Sequence, residues 1–237
     1  MPLKMIPTLV YLVLLPILLA LGNWQLNRAE EKRQFLVLQE QQAKSAVMLL
    51  SESTQDDVQS IKYKKVGITG HYDAVHQFLL DNQIVAGKAG YFVLTPFVLE
   101  SGVKAVLVNR GWLPLRSSRS VLPDVKIDGV KTITITGRIN TFPTVGIKLA
   151  EADIPAGDWP SVVQVADSSK LAKKLGYPLF GFQVELDKHL PDGYTREWRT
   201  NTLMSPEQHT AYATHWFALA LTLTLLFILY SFKKTND

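Results

Sequence analysis

The chain has 237 residues, 47% of them apolar, a formal net charge of +4 and no cysteine, which suits one sizeable domain core plus membrane segments and argues against two large domains. Acidic and basic residues are mixed without a dense Lys/Arg stripe, which argues against nucleic acid as a partner. The lack of cysteine excludes disulfides, zinc ribbons, iron–sulfur clusters and thiolate copper ligands.

In chain order, the first predicted element is an apolar helix from Met5 to Gly22 (MIPTLVYLVLLPILLALG). It carries no charge, and at 1.5 Å per residue it reaches roughly 27 Å, just enough to cross a hydrocarbon core. Pro7 and Pro16 are tolerable in a membrane helix. Lys4 and the Ala20-Leu21-Gly22 run leave a cleaved signal peptide as the competing reading. Residues 23–50 read as a helical extension, because Trp24 to Lys44 are strong helix formers without Gly or Pro. Trp24 and Gln25 are expected to anchor it at headgroup level, and Arg28 and Lys32 to lie on its charged face.

Residues 51–208 read as one β-rich domain after a polar linker, Ser51 to Ser60. Short β-branched and aromatic runs predict strands at Tyr63–Ile68, Gln77–Leu80, Tyr91–Val98, Ala105–Asn109, Thr132–Arg138, Val162–Val165 and Phe182–Leu186. One helix is predicted at Ser168–Leu175, with Asp167 as N-cap and Gly176 just beyond its end. The fold class is therefore a membrane protein with two transmembrane helices flanking an α+β, mainly antiparallel sheet or barrel domain. The second span, Ala211 to Phe232, is uncharged and flanked by Tyr212, Trp216 and Tyr230, which suit aromatic belts. The Lys233-Lys234 pair in the tail 233–237 predicts a cytoplasmic end, so both termini are expected in the cytoplasm and the domain outside it.

Sequence signatures for hydrolases, zinc proteases, P-loops and dinucleotide sites are absent, so the chain does not read as an enzyme. His71 and His76 lack a third ligand at a persuasive spacing and read as surface histidines. Asp153, Asp158 and Asp167 read as loop and cap carboxylates. The unusual constellation is His209, Tyr212 and Trp216, at i, i+3 and i+7 on one helical stripe, with His215 about 240° around from His209. Ionisable residues at a membrane segment tend to mark function, and neutral imidazole is a good axial ligand for haem iron. A wetted polar collar that holds no cofactor explains the same residues.

An ordered set of motifs resembles the Surfeit locus protein 1 family of cytochrome c oxidase assembly factors. It comprises Leu21-Gly22-Asn23-Trp24-Gln25 with Arg28 and Lys32, Gly70-His71-Tyr72-Asp73, Gly87-Lys88-Ala89-Gly90-Tyr91 with Thr95-Pro96, and Val108-Asn109-Arg110-Gly111-Trp112-Leu113-Pro114. Gly137-Arg138 and then His209, Tyr212 and Trp216-Phe217 complete it. The resemblance implies a non-enzymatic assembly factor in a bacterial inner membrane with a periplasmic domain, since four residues before Met5 leave no room for a mitochondrial transit segment. It also implies partnership with the catalytic subunit of a haem–copper oxidase, with other assembly factors and with membrane lipid. Haem a is the implied cofactor, with His209 as iron ligand beside Tyr212 and Trp216. Asn82 and the Glu207-Gln208 pair depart from the family pattern.

Within these motifs, Gly111 suits a tight strand-end turn that lets Trp112 project, and Pro114 is expected to end the sheet pairing. Arg110 suits bidentate contact with a haem propionate or partner carboxylate, Trp112 lying beside it, or else a structural salt bridge. A haem-independent chaperone for an oxidase subunit is the alternative function. A two-span extracytoplasmic sensor would need a separate signalling partner.

Overall fold

The computed structural model describes residues 5–54, 57–116, 118–127, 131–143, 153–198 and 204–232. Lys4 and the Lys233-Lys234 pair, on which the expected topology leans, lie outside them. The chain divides into two compact units, residues 41–199 and the helical remainder.

The helical unit consists of α1 (Met5–Ala43) and α4 (Pro206–Phe232). Both are long and apolar enough to cross a membrane. Helix α1 runs without interruption through the expected extension, past Gly22 to Ala43. The two helices meet along a seam of small residues. Gly22, Ala29, Ala213 and Ala220 are buried there, and a Cβ on Gly22 would stand 2.6 Å from the Phe217 ring. Without a hydrophobic drive between helices in lipid, such close approach supplies the packing. Tyr11 stacks on Phe227 with ring centroids 4.3 Å apart, and Arg33 donates to Thr210 Oγ1 at 3.1 Å. The hydroxyls of Thr214, Thr222 and Thr224 donate to the carbonyls four residues back, so these polar side chains need no outside partner. Away from the seam, Leu12, Leu19, Leu221, Leu225 and Leu229 are exposed, leaving an apolar surface suited to lipid.

The second unit begins with β1 (Met48–Leu49) and a short helix α2 (Val58–Ile61), both within stretches read as extension and linker. Then come β2 (Lys65–Tyr72), β3 (Phe78–Val85), β4 (Lys88–Leu99), β5 (Ala105–Pro114), β6 (Ile133–Asn140), β7 (Ser161–Val163), α3 (Ser168–Leu175) and β8 (Leu179–Leu186). All eight strands form one sheet, ordered β1-β2-β6-β8-β5-β4-β3-β7, and an additional β2–β4 pairing closes β2, β6, β8, β5 and β4 into a barrel. The pairing is mixed. Most ladders are antiparallel as expected, but β5–β8, β1–β2 and β3–β7 are parallel.

Ile68, Phe97, Val106, Ile139, Phe180 and Val184 belong to the largest core cluster. Helix α3 buries Leu171 with Phe78, Leu80, Leu94 and Leu107 in a second cluster. Strand β5 is consequently buried along nearly its whole length, which explains its continuous apolar run. Helix α3 has the expected caps: Asp167 Oδ1 accepts from the Ser169 and Lys170 N–H groups, and Gly176 takes φ +83° as its N–H bonds to the Ala172 carbonyl.

Candidate functional site

Two places in the fold collect the residues singled out by sequence, one in each unit. In the β-domain, Asn109-Arg110-Gly111-Trp112 does not form a strand-end turn. Phe92 pairs with Trp112 and Leu94 with Asn109, so Val93 stands opposite both Arg110 and Gly111, a bulge within β5. Gly111 has φ +117°, and a Cβ there would lie 2.8 Å from the Thr195 carbonyl. Only glycine suits that position. The Gly111 N–H turns to Asn109 Oδ1 at 3.1 Å, while Asn109 Nδ2 donates to Gln183 Oε1. The bulge also frees backbone for a second chain segment: Tyr194 N–H donates to the Arg110 carbonyl, and Trp112 and Thr195 exchange backbone bonds. Pairing continues to Pro114, opposite Gly90, and Leu115 N–H still bonds to the Ala89 carbonyl. Pro114 is thus the last residue of β5, as expected.

Trp112 does not project into solvent. Its indole packs on Gly90, where no Cβ would fit, and its Nε1 donates to the Gln83 carbonyl at 2.9 Å. Arg110 is only 2% exposed. Its Nη1 donates to Gln77 Oε1 at 2.9 Å and the Val125 carbonyl at 3.0 Å, and its Nε donates to the Asp192 carbonyl at 2.6 Å. The guanidinium lies 5.1 Å from the centroid of the Tyr194 ring. These partners are neutral oxygens, not the carboxylate of the expected salt bridge. The sequence motif is thus a fastener between β5 and the segment around Tyr194.

Three other sequence readings resolve in this unit. His71 is on β2, whereas His76 follows it and lies with its Nδ1 2.7 Å from Asp73 Oδ2; among the described residues no cluster of three or more His, Cys, Asp or Glu could hold a metal ion. Tyr177 donates to the same Asp73 oxygen at 2.8 Å. Burial pushes the Asp73 carboxyl up, but the bonds from His76 and Tyr177 outweigh it and hold the pKa below 3.8. Asp153 is not a solvated loop carboxylate: it is nearly buried and pairs with Lys170 at 2.6 Å. Asp158 is exposed.

In the helical unit, α4 turns His209 toward α1. His209 is 8% exposed, and its Nδ1 lies 2.7 Å from Gln25 Oε1. Gln25 is about equally buried, which corrects its expected role as a headgroup anchor, whereas Trp24 is 49% exposed with the Arg28 guanidinium 5.8 Å from its ring centroid. An amide oxygen only accepts, so Nδ1 carries a proton and donates. Among the described residues no hydrogen bond reaches Nε2. Tyr212 is exposed and Trp216 half-buried, so the stripe fans from the seam onto the flank of α4. His215 is exposed and gives Nδ1 to the Ala211 carbonyl of its own helix at 2.7 Å.

Oriented through Nδ1 in this way, the His209 ring could offer Nε2 to a metal centre such as haem iron. Its partner Gln25 was missed by sequence reasoning. The available signal was spacing, since Gly22, Gln25 and Ala29 fall at i, i+3 and i+7, two small residues bracketing one amide.

Comparison with known proteins agrees with this motif set. The SURF1 family model matches residues 12–221. A SURF1-like protein of Rickettsia felis is 30% identical over 235 residues, covering 94% of this chain and 95% of its own. The Surfeit locus protein 1 of Arabidopsis thaliana is 23% identical over 259 residues, 87% of this chain and 72% of that protein. The cytochrome oxidase assembly protein SHY1 of Saccharomyces cerevisiae is 31% identical over 105 residues, covering 44% of this chain and 26% of its own. With most of its length matched by the family model, the chain belongs to the SURF1 family.

Proposed function

We propose that this protein is a membrane-anchored assembly factor for a haem–copper terminal oxidase, and that it holds haem a as cargo through His209 on the way to the oxidase catalytic subunit. The observation that carries the haem part is the Gln25–His209 hydrogen bond, which among the described residues leaves Nε2 of a buried imidazole uncommitted. Tyr212 and Trp216 would flank the macrocycle from the same helix, offering aromatic faces to it. The assembly part is supported by family membership and by the naming of the yeast relative. The α1 and α4 helices would hold the protein in a bacterial inner membrane with the β-domain in the periplasm.

The full chain, purified from cells that make haem a, is expected to show a Soret band that disappears in His209→Ala and persists in His215→Ala. An unchanged band in His209→Ala removes His209 as the ligand. Deleting the gene should lower the a-type oxidase signal in reduced-minus-oxidised membrane spectra, and unaltered terminal oxidases would sink the assembly role.

A haem-independent chaperone is the second reading. It is favoured by the internal contacts of Arg110 and Trp112, which bind Nε and Nη1 of the one and Nε1 of the other within the β-domain. Crosslinking to the oxidase subunit by haem-free protein would select it.

A further inference from the structure

On the buried face of α1, Gln25 is a polar residue bracketed by two small ones. Gly22 precedes it by three positions and Ala29 follows by four, and all three are buried. A primary amide removed from water there is costly unless bonded. Its Oε1 meets that need by accepting from His209 Nδ1, on the facing helix and 184 positions away in sequence. The bond has two consequences for the imidazole. It selects the tautomer with the proton on Nδ1, and it fixes the ring plane, because a hydrogen bond from a ring N–H lies close to that plane. The neighbouring contacts hold the two backbones at this spacing: Gly22 lies under the Phe217 ring, and Ala213 is buried one turn beyond His209.

We propose that Gln25 is a positioning residue for His209, presenting Nε2 as the coordinating atom of a haem site built by both helices. This rests on the reading of His209 as the haem ligand. Helix α1 is then half of the site and more than an anchor. The acceptor strength of residue 25 becomes a control on the iron, since a stronger acceptor at Nδ1 makes Nε2 more basic and favours the ferric state.

The test uses the full chain in detergent, loaded in cells that make haem a, with Gln25→Leu, Gln25→Glu and wild type compared. Gln25→Leu is expected to lower haem occupancy about tenfold or more. Gln25→Glu should retain occupancy and shift the haem midpoint potential below that of wild type. Occupancy unchanged in Gln25→Leu together with an unchanged potential in Gln25→Glu would overturn the inference. A second measurement separates this failure from failure of the haem reading itself. In haem-free protein labelled with 15N-histidine, His209 is expected as the Nδ1–H tautomer in wild type and to shift toward Nε2–H in Gln25→Leu. If wild type never binds haem, the haem reading falls, and the same tautomer in both proteins would overturn the role of Gln25 independently.

Discussion

Arg110 and His209 invite comparison because both are nearly buried polar residues from motif segments, 2% and 8% exposed respectively, one in each unit. The Arg110 guanidinium binds the oxygens of Gln77, Val125 and Asp192 through Nη1 and Nε, so its charge serves the fold that surrounds it. His209 is held through one nitrogen and leaves the other uncommitted among the described residues. Burial and motif membership alone therefore do not say what a residue does. The two differ in how many internal oxygens hold them: Gln77, Val125 and Asp192 for Arg110, Gln25 alone for His209.

The sharpest way to break the comparison is Arg110→Leu. The buried Val125 carbonyl would lose its charged donor, and the Asp192 carbonyl on an exposed residue would lose a partly buried one, so at about 1–3 kcal/mol for a stranded buried group the β-domain should lose about 2–3 kcal/mol. Thermal unfolding of the full chain followed by circular dichroism at β-sheet wavelengths measures this. Arg110→Lys should rescue little, because one ammonium cannot reproduce the directions served by Nε and Nη1. A fully stable Arg110→Leu would reverse the comparison and return Arg110 to the candidates for a ligand or partner contact.

Gly111→Ala tests the same fastener more gently. A side chain at φ +117° facing the Thr195 carbonyl should cost about 2 kcal/mol. The loss should come with faster hydrogen exchange at the Trp112 and Tyr194 amides, whose bonds tie the segment to β5. Slow exchange at both amides in the variant would mean that the bulge does not hold the segment.

The β-domain was legible where local chemistry decides. Helix α3 was readable to the residue because Asp167 and Gly176 mark its ends, and β2 to β8 announced themselves by β-branched runs. Strand ends were less legible. Phe78–Val85 outruns its predicted strand because the backbone at Asn82 takes φ +60° yet the ladder resumes at Gln83. The bulge at Gly111 looks the same in sequence as a turn glycine, and only the offset of Phe92 and Leu94 against β5 tells them apart. Parallel pairing of β5 with β8 was invisible for a related reason, since pairing partners distant in sequence leave no local trace. The same holds for Gln25: its amide looks like any interfacial glutamine until α4 brings His209 to it.

His76 supplies the intermediate case and the smallest expected effect. Like His209 it is held through Nδ1, but by the Asp73 carboxylate, which also accepts from Tyr177. Tyr177→Phe removes one bond to a charged group and should cost about 1.5 kcal/mol at neutral pH. Burial first, and then the Asp73 carboxylate, push the Tyr177 hydroxyl pKa well up, so the phenol stays a donor across the working range. Because the folded Asp73 pKa lies below its ordinary 3.8, the group adds stability above that value and loses it as pH falls through the lowered pKa. The stability difference between wild type and Tyr177→Phe should therefore be constant from about pH 5 upward and shrink below about pH 4. A difference that persists undiminished well below the folded Asp73 pKa would show that Tyr177 acts through packing alone. Asp73 would then hold His76 as an isolated pair, leaving Gln25 and His209 as the better parallel to it.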